Sequence, residues 1–234
     1  MGDWRKARLD GQMLGDELNA AELLWADKAD TRTVMPMLWR NIRRDRNALE
    51  RAAMMGRLML YGASGGMVSG HAMHCEAAII LAERLGLDAE ICNGLAFINE
   101  RWDGKGTPYG IAGEAVSRPA RAMHVGRLAA HFYMEGGTDR ALEIVERRAD
   151  QEFDQALVKV IKSEAPYIFE NLLSGNIREL VLAAEPGTPL TIDAKTTDRA
   201  FTAIADFADF KTPHMLGHSR QVANVAEAAA KAWA

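Results

Sequence analysis

Cysteine is scarce, and positive charge is not in excess. The two cysteines, Cys75 and Cys92, give no framework of spacings for disulfides, which fits a reduced, intracellular setting. A formal net charge of −4 removes the electrostatic argument for a nucleic-acid-binding surface, because neutralising phosphates takes clustered Lys and Arg in excess. The run Arg40-Asn41-Ile42-Arg43-Arg44-Asp45-Arg46 reads as a solvated helical face, since Asp45 interrupts it and the spacing is helical. No stretch approaches the ~20 apolar residues that a membrane helix needs, and Trp4-Arg5-Lys6-Ala7-Arg8 breaks any leader pattern with charge. The expectation is a cytoplasmic protein with neither membrane nor nucleic acid as a direct partner. Alternating strand patterns are nearly absent as well, so the fold is expected to be all-α, and 48% hydrophobic residues in 234 suffice for a sizeable core.

The helices can be placed from their periodicity and punctuation. A first helix is expected over Gln12 to Trp25, and a second with Pro36 in its first turn, carrying Leu38, Ile42, Leu49 and Met59. Gly62-Ala63-Ser64-Gly65-Gly66 breaks the pattern. The next helix puts His74, Ala78, Leu81, Ala82 and Leu85 on one inward face and stops at Gly86, a left-handed cap. Asp88 caps a helix with Ile91, Leu95 and Ile98 as its buried stripe. Ser117 to Met134, Asp139 to Arg148 and Asp154 to Leu173 follow, with Gly136-Gly137-Thr138 as a break. Glu185-Pro186-Gly187-Thr188-Pro189 is the best linker in the chain. Beyond it Phe201, Ile204, Ala205 and Ala208 form one apolar face, and a last helix starts near His218, whose following residues echo those after His74, both histidines being placed at a helix start.

Rare residue types crowd into Asn99-Glu100-Arg101-Trp102-Asp103-Gly104-Lys105-Gly106-Thr107-Pro108-Tyr109-Gly110, which describes a shaped loop. Several sharp chemistries fail on spacing. His74-Cys75-Glu76 has the first half of a zinc-deaminase signature without the P-C-x-x-C half. Gly104-Lys105-Gly106-Thr107 lacks the phosphate-loop spacing, and no H-E-x-x-H occurs. His124 and His131 read as packing or surface residues. Two readings of the loop stay open: a structural one, with Trp102 as anchor and Asp103 closing an Asx-turn, and a functional one, with Lys105 and the amides around Gly104 and Gly106 holding a phosphate.

The loop from Glu100 through Ile111, with Gly113-Glu114 and Arg121, resembles the signature of HD-GYP domains, all-helical metal-dependent phosphohydrolases whose best-known substrate is cyclic di-GMP. The likeness covers roughly residues 70 to 172. It implies an HD-domain-like helical bundle, divalent metal ions (Fe, Mn) as the family's cofactors, a cyclic dinucleotide as partner, a ligand loop of Glu100, Trp102, Asp103, Lys105, Gly106 and Pro108, and His74 as a metal ligand. The departures are equally specific: the family's paired histidines are Ile98 and Asn99, its Gly-Tyr-Pro is Gly106-Thr107-Pro108, a later aspartate ligand is Arg127, and no His-Asp dipeptide occurs. An arginine in place of a ligand carboxylate puts positive charge where cations sit. No catalytic residue and no cofactor is therefore assigned to this copy.

Ala205 to Pro213 and then Leu216-Gly217-His218-Ser219-Arg220 resemble the entry to a second HD domain, with His218 as its first metal ligand, as in tandem HD proteins that carry LuxR-type regulators. The expected division is an N-terminal helical segment (1–69), a degenerate HD-GYP-like domain (70–184), a linker (185–190) and the truncated start of a second HD-like domain (191–234), paired with a further HD domain or with a second copy of the chain. Three functions are weighed: a degenerate copy with a regulatory or domain-pairing role, an active phosphodiesterase completed by His218 or another subunit, and a helical assembly module.

Overall fold

A computed structural model describes residues 25–174, 176–185, 187, 191, 193–194, 196–210 and 213–233. Among these the fold is all-α, without a strand: α1 Thr31–Asn41, α2 Ala48–Ala63, α3 Gly66–Leu85, α4 Ala89–Ala96, a 3-10 turn Gly113–Ala115, α5 Arg118–Arg147, α6 Gln155–Ser174, α7 Ile177–Ala183, α8 Thr197–Asp209, a second 3-10 turn Pro213–Met215 and α9 His218–Trp233. The helix expected over Gln12 to Trp25 lies outside the described residues but for its last position.

The punctuation acts largely as its chemistry dictates. Gly65 and Gly86 take left-handed backbones at φ 78° and 82°, and the chain leaves α3 through paired bonds from the Gly86 and Leu87 amides to the Glu83 and Ala82 carbonyls. The Asp88 carboxylate accepts from the Ile91 amide at 2.9 Å and starts α4. Helical geometry fails within α5 at Gly136 and Gly137, so the chain turns there and its two arms fold over α6. Val125, Leu128, Phe132, Ile144 and Val145 from those arms, Phe153 from the turn after them, and Val158 and Phe169 from α6 make the main core, with Trp25 packed against it.

Other expectations need correction. Pro36 lies inside α1, whose cap is Asp30, and the single helix expected from Pro36 to Met59 is two. Ile42 is extended, Arg43 takes φ 30°, and the Asn47 side chain accepts from the Glu50 amide to start α2 afresh. Arg40–Arg46 is thus a helix end and a tight turn, not a helical face. In α4 it is Gly94 and Ala96 that are buried, while Ile91 is exposed. His74 is eight residues into α3, not at its start. Along α8 the buried positions are Ala200, Ala203, Asp206 and Asp209, and Phe201 and Ile204 face outward. The physical reason is ionic. Asp206 pairs with Arg84 of α3 and Arg220 of α9, and Asp209 accepts from the Ser219 amide and hydroxyl, so the carboxylate face turns inward.

Candidate functional site

The loop between α4 and α5 is held from three directions. Its own residues close it first: one oxygen of the buried Glu100 carboxylate accepts from the Tyr109 amide at 2.7 Å, and the Asp103 carboxylate accepts from the Lys105 amide at 3.1 Å. The turn before α6 holds it next, because the Trp102 and Asp103 amides donate to the Glu152 and Gln151 carbonyls at 3.2 and 2.8 Å. From α3, His71 Nδ1 lies 2.6 Å from Thr107 Oγ1. Gly106 is packed so tightly that a Cβ would fall 2.4 Å from the Arg101 nitrogen and 2.5 Å from Glu100 Cα. The Thr107–Pro108 bond is cis.

Beneath the loop sits a buried ionic cluster. The Arg101 guanidinium is 6% exposed, forks onto Asp103 with two 2.9 Å bonds, reaches Asp27 at 2.7 Å and lies 3.6 Å from Glu152. Glu152 in turn meets His124 at 3.1 Å and Arg148 at 2.9 Å, and Arg148 also donates to the Trp25 carbonyl at 3.0 Å. Burial alone would push the Arg101 pKa down, but Asp103, Glu152 and Asp27 outweigh it and hold it above its ordinary value. Burial likewise works against ionised Glu152, and the hydrogen bond from His124 with the nearby Arg148 and Arg101 brings its carboxyl below the ordinary value. Asp103 follows the same pattern: burial raises it, and Arg101 prevails and lowers it. Arg121, on the first turn of α5, pairs with Asp154 and lies 5.3 Å over the Trp102 ring.

Of the residues singled out in the sequence, Glu100, Trp102, Asp103, Gly106 and Pro108 are brought together as the loop's frame, and Lys105 and Tyr109 point to solvent, 65% and 61% exposed. His74 is half-buried, on the flank of the α3 face whose His71 and Cys75 meet the loop. Cys75, buried, lies 4.0 Å from the Asn99 amide nitrogen, and burial pushes its thiol pKa up. His218 is exposed at the first position of α9, near the Arg84 end of α3, about 20 Å along that helix from His71.

A divalent metal centre needs several imidazoles and carboxylates converging. Among the described residues no group of three or more His, Cys, Asp or Glu is placed to hold a metal ion. His71 is engaged with Thr107, Asn99 with Cys75, and Glu100 Oε1 with the Tyr109 amide; Glu100 Oε2 is buried without a hydrogen-bond partner, yet no second and third ligand converge on it, so the described residues do not fit a dinuclear centre. Among the described residues His74 and His218 have no such co-ligands.

Residues 70–157, which contain this loop, match the family model of the HD domain. This segment is thus similar to HD domains. The chain is 28% identical over 152 residues to the 3'3'-cGAMP-specific phosphodiesterase 3 of Vibrio cholerae serotype O1, a match covering 64% of this chain and 33% of that protein. The crystal structure of a cyclic GMP-AMP-specific phosphodiesterase of V. cholerae superposes with a TM-score of 0.63 at 24% identity, over 81% of this chain and 46% of that one. The chain thus spans a third of the curated relative's length and under half of the solved chain's. The likeness to the solved chain carries the all-α HD fold. No helix among the described residues is long and apolar enough to cross a membrane.

Sequence reading missed the ionic cluster. Asp27, His124 and the Arg148–Glu152 pair are far apart in the chain and carry no motif. The available signal was Arg101 itself: an arginine in a loop that must be buried needs more counter-charge than Asp103 supplies.

Proposed function

We propose that this chain is an HD-GYP-like protein of the cyclic-dinucleotide phosphodiesterase kind, and that its HD domain is a degenerate copy with a regulatory or domain-pairing role in the cytoplasm. The observation that carries this reading is the contrast between an intact, buttressed loop and a donor set that lacks three convergent metal ligands among the described residues. In this reading Glu100, Trp102, Asp103, Gly106 and Pro108 keep the loop's shape. The Lys105 ammonium, 65% exposed at the loop's tip and only 3.8 Å from Asp103, is the group placed to meet a phosphate of a cyclic dinucleotide. Arg121 over Trp102 stiffens the wall behind them. The likeness to 3'3'-cGAMP phosphodiesterase 3 supports the ligand class.

Metal analysis and turnover test it together. Purified protein loaded with Mn or Fe should retain far less than one ion per chain, and should leave 3'3'-cGAMP and cyclic di-GMP intact at background rate. Stoichiometric metal, or hydrolysis that His74→Ala abolishes, would make the chain an enzyme and overturn the reading. The enzyme alternative that borrows His218 is disfavoured by the ~20 Å of α3 between His71 and Arg84.

A further inference from the structure

The structure points to a second ligand site, on the α1–α2 hairpin and sharing no residue with the loop. We propose that the cleft there binds a small phosphorylated molecule. Six arginines and two carboxylates fall between residues 40 and 57, a local charge of +4 in a chain whose formal charge is −4. Their concentration on a hairpin turn makes a positive field where the rest of the chain repels anions.

The turn shapes that charge into a cavity. A cleft of about 260 Å³ is lined by Arg43, Arg46 and Arg57, with Glu50 on one wall and Ala53 and Met54 as floor. Glu50, Ala53, Met54 and Arg57 are one face of α2 at helical spacing, and the turn brings Arg43 and Arg46 over its start. Arg43 reaches its place through a left-handed backbone at φ 30°, unfavourable for a residue with a Cβ, and its guanidinium is fixed there by Asp45 at 2.6 Å. Arg46 touches Asp45 and Glu50 only at 3.5 and 3.7 Å. Arg57, which lines the cleft, has no carboxylate within ion-pair distance among the described residues, so its guanidinium charge is not neutralised there.

By contrast, the neighbouring arginines have structural work. Arg51 donates to the Ile42 and Trp39 carbonyls and Arg44 to the Arg40 carbonyl and the Asn41 side chain, which closes the end of α1. The arginines that line the cleft are thus distinct from those that tie the hairpin. Guanidinium forks match phosphate oxygens two at a time, and an apolar floor suits the organic body attached to them. The volume fits one or two phosphates with a small substituent and is far too short for a nucleic-acid track.

Calorimetric titration of the full chain with inorganic pyrophosphate tests the site. Saturable binding is expected, weakened about tenfold in Arg57→Gln, partly kept in Arg57→Lys, and unaffected by Arg178→Gln on α7. Arg57 is exposed, and an unchanged circular-dichroism melt confirms that the variant is folded. Sedimentation with phosphatidic-acid vesicles separates sources: capture lost in Arg57→Gln would name a lipid phosphate, and no capture a soluble one, both supporting the site. No saturable heat up to about 5 mM pyrophosphate, equal binding by Arg57→Gln, or tighter binding of an oligoglutamate peptide would each overturn the proposal.

Discussion

Replacing Glu152 by glutamine isolates the energetics of the cluster under the loop. Glutamine keeps the shape and an acceptor for His124, so packing is conserved while one negative charge goes. Arg101 retains Asp27 and Asp103, at 2.7 and 2.9 Å. Among the described residues Arg148 retains only the Trp25 carbonyl and the face of Phe132 at 5.5 Å, and it is 7% exposed. A buried cation stripped of its partner costs about 3–5 kcal/mol. In a chain of this size that lowers the melting temperature by roughly 10 °C, read by circular dichroism at pH 7. Glu146→Gln, which breaks the exposed Lys162 pair at 2.7 Å, is the internal standard and should cost below about 1 kcal/mol. Adding Arg148→Met to Glu152→Gln should recover part of the loss, because the stranded charge leaves too. The pH profile gives a second reading. Glu152 has a folded pKa below its ordinary 4.5, so its contribution is fully present above that value and is lost as pH falls through the folded one. Acid should therefore destabilise the parent more than the glutamine variant. A Glu152→Gln melt within about 2 °C of the parent would refute the argument.

Three further outcomes follow from the loop's geometry. Gly106→Ala forces a Cβ to within 2.4 Å of the Arg101 nitrogen, against backbone that cannot swing aside, so it should cost about 1–3 kcal/mol in urea unfolding and expose the Tyr109 amide to hydrogen exchange; full protection at Tyr109 would contradict it. Asp27→Asn removes one of Arg101's carboxylates at a part-exposed position, and should lose about 1 kcal/mol and speed tryptic cleavage after Lys105; an unchanged cleavage rate counts against the coupling. Thr107→Val deletes the hydroxyl that meets His71, and should move the His71 imidazole resonance and cost about 1 kcal/mol; a static resonance would show that the contact does not matter.

What was legible in the sequence is what local chemistry controls. Gly65, Gly86 and Asp88 specify helix ends through their own backbone or side chain, and the Gly136-Gly137 break follows from the same rule. The loop was legible because its residues are rare and contiguous. Ile42 to Asn47 was misread because apolar spacing runs across a turn whose strain at Arg43 leaves no trace in the pattern. The outward face of α8 was misread because periodicity ranks phenylalanine above aspartate, whereas Arg84 and Arg220 decide which side is buried. His71 went unnoticed beside His74 since only the loop's path selects between neighbours on one helix.

Arg101 takes one carboxylate from 74 residues upstream, and the turn that braces it begins nearly fifty residues downstream. The loop therefore cannot reach its shape as a nascent peptide. It forms only after the strand of chain around Asp27 and the turn before α6 have both arrived, so its order reports the completion of folding. An excised 99–113 peptide would be structureless, and the loop's amides would be among the last to gain protection as the chain folds.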